Sequence, residues 1–140
     1  MIKIFLDTNI LLDIFLNRDF EISESKLIFE KVEQQEIIWC ISSLSFPNFY
    51  YIARKFNKSR EVFSFFEYLL LNFEIVDLCK YVLEESIQID KIDFEDNIQY
   101  VSAINNNCEY IITRNKNDFM EKWIYIVSPK EFTQKYFSKF

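Results

Sequence analysis

The sequence predicts an α/β fold in which a parallel sheet is sandwiched between helices. Three observations carry that expectation. Apolar runs of strand length alternate with amphipathic helical stretches along all 140 residues, an order that suits β–α–β units. Small polar or acidic residues gather where strands give way to helices, at the junctions where open α/β sheets place their ligands. Half of the residues are hydrophobic, sixteen Phe and eight Tyr among them, enough for one core dominated by aromatic packing. Neither a repeat, a linker nor a low-complexity tract interrupts the pattern, so residues 1–140 read as a single domain.

The first run, IKIFL at residues 2–6, is short, β-rich and apolar but for Lys3, as a buried strand is. Asp7, Thr8 and Asn9 stand where it ends, and residues 10–16 resume an apolar, helix-compatible pattern broken by Asp13. The polar stretch NRDFEISES leads into a helix over residues 23–35, with Ile28, Phe29 and Val32 on one face. EIIWCIS, residues 36–42, is the second strand. Phe46, Phe49, Tyr50, Ala53 and Phe56 then recur at helical spacing, with Pro47 in the first turn, where its missing N–H costs nothing. Val62, Phe65, Phe66 and Leu69 repeat the period in the next helix, for which Ser59 is the expected cap. The aromatic positions of both helices read as core. FEIVDL supplies a short third strand, followed by a helix over residues 80–90 expected to bury Val82, Leu83 and Ile87. A further helix starts near Asp93, with Phe94, Ile98, Val101 and Ile104 inward. EYIITRNKNDF gives a strand and a loop. WIYIVSPKEFTQKYF gives the last strand and a well-marked helix: Ser128 as cap, Pro129 first, Glu131 completing a capping box.

The absences narrow the chemistry. Without histidine the usual general base, the Ser–His and Cys–His nucleophile pairs and imidazole metal ligands are all excluded. Without glycine there is no Walker loop and no dinucleotide-binding fingerprint. Asparagine takes over the tight turns, and Asn57, Asn72 and residues 105–107 fall where helices are expected to stop. Cys40, Cys79 and Cys108 are odd in number, widely spaced and in apolar contexts, which suits free core thiols in a reducing compartment. No apolar run has the length of a membrane span, and Lys3 and Asp7 spoil a signal peptide, so a soluble, cytoplasmic protein is expected. A net charge of −6 argues against broad affinity for nucleic acid but leaves room for a small site where a divalent cation supplies positive charge. The basic stretch ARKFNKSR, with Arg54, Lys55, Lys58 and Arg60, reads as a solvated helix end, phosphate contact being the alternative.

In a parallel sheet every strand-to-helix junction opens on one edge. Asp7–Thr8–Asn9, Ser42–Ser43 with Asn48, and Thr113–Arg114–Asn115 with Asp118 are the polar groups at those junctions. The plain reading of Asp7 or Thr8 is a helix cap, and one of Asp93, Glu95 and Asp96 is explained by capping and the helix dipole. Three acids in four residues exceed that need. Asp96, with Ile98 and Val101 close behind, is expected to point along the sheet edge. Converging carboxylates without histidine suit Mg²⁺ or Mn²⁺, ions that bind phosphate oxygens and lower the pKa of a bound water. The spacing thus permits metal-assisted phosphodiester hydrolysis. A haloacid-dehalogenase-type phosphatase needs a second aspartate where Asn9 stands. A phospho-receiver domain needs an acid pair after the first strand, and Asp77 after the third does not supply it.

FLDTNILLD, ISSLSFPNFYYIARK, DFEDNIQYVSA and YIITRNKNDF resemble, in order and spacing over residues 2–127, the successive motifs of PIN domains, a superfamily that includes VapC-type toxin ribonucleases. The resemblance implies a three-layer α/β/α domain with a central parallel sheet of about five strands. It also implies an acidic site for Mg²⁺ or Mn²⁺, cleavage of RNA, a small antitoxin protein that occludes the acidic edge, and a homodimer. On the matching positions Asp7, Asp96 and Asp118 are the implied metal ligands, with Thr113 and Asn9 as orienting groups. Arg114, Asn115 and Lys116 fall on the substrate side, solvated loop cations being the plainer reading of Arg114 and Lys116. One departure stands out: Asn48 occupies the position where the family usually has a glutamate, and an amide brings no charge. Glu95 or Asp93 is the available substitute. Two readings follow, an active endoribonuclease and a catalytically weakened or inactive PIN-like module that binds RNA or a protein partner.

Overall fold

β1 (Lys3–Leu6), β2 (Ile38–Ser42), β3 (Glu74–Val76), β4 (Tyr110–Ile112) and β5 (Tyr125–Val127) form one sheet in the order β3-β2-β1-β4-β5. Each neighbouring pair is parallel. The computed structural model describes residues 1–91, 93–119 and 123–137, with Asp118 described by its backbone alone. The helices are α1 (Thr8–Leu16), α2 (Ile22–Val32), α3 (Ser45–Ala53), α4 (Ser59–Asn72), α5 (Lys80–Ile87), α6 (Phe94–Asn105) and α7 (Pro129–Tyr136). They cover both faces of the sheet, as expected of a three-layer α/β/α fold.

The sheet's central strands are apolar, apart from Lys3 at the start of β1 and Ser42 at the end of β2, because both faces are covered. Side chains alternate along a strand, so Ile4 and Leu6 of β1 join Trp39, Ile41, Tyr110 and Ile112 in a core closed by α1, α2, α3, α4 and α7. Phe5, Cys40 and Ile111 face the other way, against Val82 of α5 and Ile98, Val101 and Ala103 of α6. The first core is aromatic, as its composition foretells. Phe15 meets Phe49 edge-on at 5.2 Å between ring centroids, Phe46 meets Phe66 at 5.0 Å, and Trp39 meets Phe132 at 5.8 Å.

The strand order has a consequence for chemistry. The chain steps outward from β1 to β2 and β3, then returns to the other side of β1 as β4. The crevice between the carboxyl ends of β1 and β4 is therefore the topological switch point of the sheet. Asp7 follows β1 and Thr113 follows β4, so the fold sets these two side by side.

Several expectations need correction. Ser59 is the first residue of α4, and Lys58 has the extended cap conformation without a side-chain cap; the Ser59 hydroxyl instead lies 3.0 Å from Tyr50 Oη. Helix α5 ends at Ile87 and buries Val82 and Ser86, leaving Leu83 and Ile87 exposed. On its buried side Ser86 Oγ donates to the Val82 carbonyl at 2.6 Å. Phe94 is exposed at the start of α6, and Phe56 is exposed beyond the end of α3. Cys40 and Cys108 are buried but Cys79, at the cap of α5, is exposed; all are free. Of the asparagines expected to end helices, Asn107 is left-handed, at φ 59° after α6, while Asn57 and Asn72 are not; Asn17, which caps α1 at φ 54°, Glu21 and Gln35 take the other left-handed positions among the described residues. Among the described residues no helix is long and apolar enough to cross a membrane.

Candidate active site

Asp7 sits where β1 becomes α1. Its backbone N–H still donates to the Ile112 carbonyl at 3.0 Å, continuing the β1–β4 register. Its carboxylate already caps α1, Oδ1 accepting the Asn9 N–H at 3.4 Å. Alternation along β1 turns Asp7 to the same face as Phe5, toward α6, and turns Thr113 there after Ile111. Thr113 Oγ1 donates to Asp7 Oδ2 at 2.7 Å, and Gln99 Nε2 of α6 donates to Asp7 Oδ1 at 2.9 Å. Gln99 Oε1 accepts the Thr8 N–H at 3.1 Å, and Thr8 Oγ1 lies 2.7 Å from Ser45 Oγ of α3. One hydrogen-bonded chain thus ties β1, α1, α3, α6 and β4 around a carboxylate that is 2% exposed. Burial pushes the Asp7 carboxyl above its ordinary pKa, against hydrogen bonds from Thr113, Gln99 and the backbone of Asn9 and Thr8.

The first turn of α6 divides its acids by role. Asp93 is the N-cap, accepting the Asp96 N–H at 3.1 Å. Glu95 stands one turn before Gln99 on the same helical face. It is half-buried. Burial raises its pKa, the charges of Asp7 and Asp93 raise it further, and the bonds from Asn48 and Thr8 oppose them. Asp96, expected to point along the edge, is half-buried.

The loop after β4 is braced at several points. The Asn115 N–H donates to Thr113 Oγ1 at 3.1 Å. Arg114 Nη1 lies 2.9 Å from Asp13 Oδ1, and its guanidinium lies over the Phe20 ring at 5.0 Å. Lys116 Nζ pairs with Glu131 Oε2 at 3.1 Å. Both cations of the expected substrate side therefore have carboxylate partners within the chain, while Asn115 is exposed. Asp118 falls in a 3-10 turn over Lys116–Asp118, and its side chain lies outside the described residues.

Among the described residues no three His, Cys, Asp or Glu side chains form a ready metal cluster. The donor set around Asp7 nevertheless fits a hard cation. It offers only oxygen: two carboxylates, the hydroxyls of Thr8 and Thr113, and the Asn48 amide. Asp7 Oδ1 accepts from two neutral donors and Oδ2 from one, so Oδ2 keeps acceptor capacity.

Residues 3–117 match the model of the PIN domain. The chain belongs to the PIN domain family. Ribonuclease VapC1 of Aquifex aeolicus is 24% identical over 147 residues, spanning 96% of this chain and 95% of its own. Among solved structures, VapBC from Salmonella typhimurium, bound to DNA, superposes with a TM-score of 0.69 at 20% identity, over 92% of this chain and 99% of the other. VapBC2 from Rickettsia felis, bound to a DNA fragment from its promoter, does so with a TM-score of 0.67 at 18% identity, over 91% and 98%. At such identities the structural likeness is one of fold.

Within this PIN domain the most consequential residue that sequence reasoning missed is Gln99, 1% exposed among apolar neighbours. A signal existed: Glu95, Gln99 and Ser102 recur at four- and three-residue spacing, a polar stripe along α6. Thr8 and Ser45 went unassigned for a different reason, since short hydroxyl residues at helix starts are common as caps.

Proposed function

We propose that this PIN domain is a metal-dependent endoribonuclease and the toxin of a toxin–antitoxin pair. The observation that carries the reading is the Asp7 carboxylate, buried at the switch point and held in one orientation by donors from β4 and α6. A helix cap needs no such bracing. Asp7, Asp96 and Asp118 are the residues we assign as ligands of Mg²⁺ or Mn²⁺, and such an ion supplies Lewis-acid charge neutralisation at a phosphodiester. Thr113 and Gln99 fix the Asp7 rotamer, and Asn9 brings a second polar side chain to the start of α1. Asn115 and the braced Arg114 and Lys116 line the side from which RNA would approach. The name of the Aquifex aeolicus relative supports ribonuclease activity, and so does a solved Mycobacterium tuberculosis toxin, VapC20, described as cleaving the sarcin–ricin loop. The VapBC and FitAB assemblies among the similar structures support a small antitoxin protein as partner, and we add a homodimer and a cytoplasmic setting to the reading. Free thiols at Cys40, Cys79 and Cys108 accord with a reducing compartment.

A second reading rests on Asn48. With an amide where the family pattern has a glutamate, the domain would bind RNA or a protein partner with weakened or no turnover. Cleavage of mixed RNA by the purified protein in Mn²⁺ or Mg²⁺ separates the two. The first reading predicts cleavage that disappears in EDTA and in Asp7→Asn. Absence of cleavage, with Mn²⁺ still bound in an Asp7-dependent way, supports the second.

A further inference from the structure

We infer that the cleft between the ends of α1 and α3 is a subsite for the RNA strand that extends beyond the Asp7 crevice, with Lys55 meeting a phosphate and Phe56 stacking on a base. The inference rests on the reading of this domain as one that binds RNA, and deepens it by naming where the strand continues.

Both walls of the cleft lead from the crevice. Helices α1 and α3 start there, with Thr8 Oγ1 2.7 Å from Ser45 Oγ. They run on packed together, Phe15 meeting Phe49 at 5.2 Å. They end at a cleft of about 570 Å³ whose apolar lining is Phe15, Leu16, Ile52 and Phe56 and whose charged lining is Arg18 and Lys55. The turn of α3 continues past Ala53, the Arg54 N–H donating to the Tyr50 carbonyl at 3.0 Å and the Lys55 N–H to that of Ile52 at 3.2 Å. Ser45, Ile52 and Lys55 therefore share one face. The face that touches Thr8 reaches the cleft about 15 Å further along the helix axis.

Charge is the second argument. In the whole chain 22 acids outnumber 16 cations, yet residues 37–66 hold Arg54, Lys55, Lys58 and Arg60 against one acid, Glu61. All four cations are exposed. The ion pairs among the described residues use Lys3, Arg18, Lys80, Arg114 and Lys116, and none of these four. Glu61 accepts instead from Asn57 Nδ2 at 2.9 Å. Arg18 shares its one partner, Asp13, with Arg114. Cations left without carboxylates in an acidic chain create a local positive field that suits a polyanion.

The exposed rings are the third argument. Phe56 is 70% exposed at the cleft. Tyr51 is 58% exposed, with the Arg54 guanidinium 4.9 Å and Lys55 Nζ 5.1 Å from its ring centroid. A merely solvated helix end gains nothing from large rings held in water. Proteins that bind single strands combine such rings, on which bases stack, with cations that track the phosphates. An acidic peptide would answer the charge but not the alignment with the crevice; a strand with one phosphate at Asp7 answers both.

The test is fluorescence anisotropy of a labelled single-stranded RNA of about ten nucleotides, titrated in EDTA at several salt concentrations. Wild type, Lys55→Gln, Phe56→Ala and a control, Lys130→Gln on α7, are compared, with KM and kcat for cleavage of the same RNA in Mn²⁺. Lys55→Gln should weaken binding several-fold and flatten the slope of log K against log salt by about 0.7. Phe56→Ala should weaken it about tenfold and leave the slope alone. Both should raise KM, keep kcat and melt with wild type, and Lys130→Gln should match wild type throughout. Wild-type affinity, slope and KM in both variants would overturn the inference while leaving Asp7-dependent cleavage standing. Variants that keep RNA affinity but sediment as monomers where wild type is a dimer would overturn it too, because the cleft would then join two copies. Wild type that neither binds nor cleaves the RNA would instead bring down the RNA reading itself.

Discussion

Asp7, Gln99 and Thr113 act as one unit, and the energetics of buried polar groups say what removing a member does. Gln99→Leu would leave Asp7 Oδ1 and the Thr8 N–H without their partner in a buried setting, at about 1–3 kcal/mol for each group. Urea unfolding should show that loss, and Mn²⁺ affinity should fall with it; unchanged stability would mean water takes over both bonds. Asp13 belongs to a different unit. It is fully buried, and Arg114 and Arg18 approach its Oδ1 at 2.9 and 3.3 Å. Asp13→Ala leaves both partly exposed guanidinium groups without their carboxylate, and a loss of about 1–3 kcal/mol in urea unfolding is expected. These residues also mark what a sequence shows and what it hides. Asp7 and Thr113 were legible because they end apolar runs. The Asp13 pair was not, because an acid in α1 and an arginine after β4 are a hundred positions apart, and only the β1–β4 register brings them together.

Elements whose stop and start signals are local were read well. In α7 the Ser128 hydroxyl accepts the Glu131 N–H and the Glu131 carboxylate accepts the Ser128 N–H, both at 3.2 Å. Ser128→Ala should cost about 1 kcal/mol of unfolding free energy. Glu131 also makes the element pH-sensitive. Burial opposes its ionisation, but Lys116 and the Ser128 bonds outweigh that and hold its pKa below the ordinary 4.5. A depressed folded-state pKa stabilises above the unfolded value and is lost as pH falls through the folded one. The melting-point gap between wild type and Glu131→Gln should therefore be present at neutral pH and close as pH drops below 4.5. A gap that widened in acid would refute the assignment. The strands were legible for the same local reason, being apolar runs bounded by polar residues. Helix α5 was not. It lies on α6 and buries little beyond Val82 and Ser86, so its large residues Leu83 and Ile87 stay in solvent and the apolar count points to the wrong face.

At the scale of the molecule, parallel pairing and the switch in strand order turn separate junctions into one crevice. The alternation of strands and helices foretold the layers, and the resemblance to PIN domains foretold the edge. What neither showed is that α6 meets Asp7 through Gln99, because helical phase at a helix start depends on where the cap falls, and Asp93 sets it. A chain of net charge −6 that gathers carboxylates at one edge should gain stability from a divalent ion. Mn²⁺ at a hundredfold excess over its dissociation constant adds about 2.7 kcal/mol, so the melting temperature should rise with Mn²⁺, return in EDTA and fail to respond in Asp7→Asn. The most direct measurement is an anomalous-difference map from crystals soaked in Mn²⁺. A peak in contact with the Asp7 carboxylate, on the side facing the start of α6, is the predicted result. A protein that cleaves RNA in Mn²⁺ while its only ordered Mn²⁺ lies away from Asp7 would contradict the account.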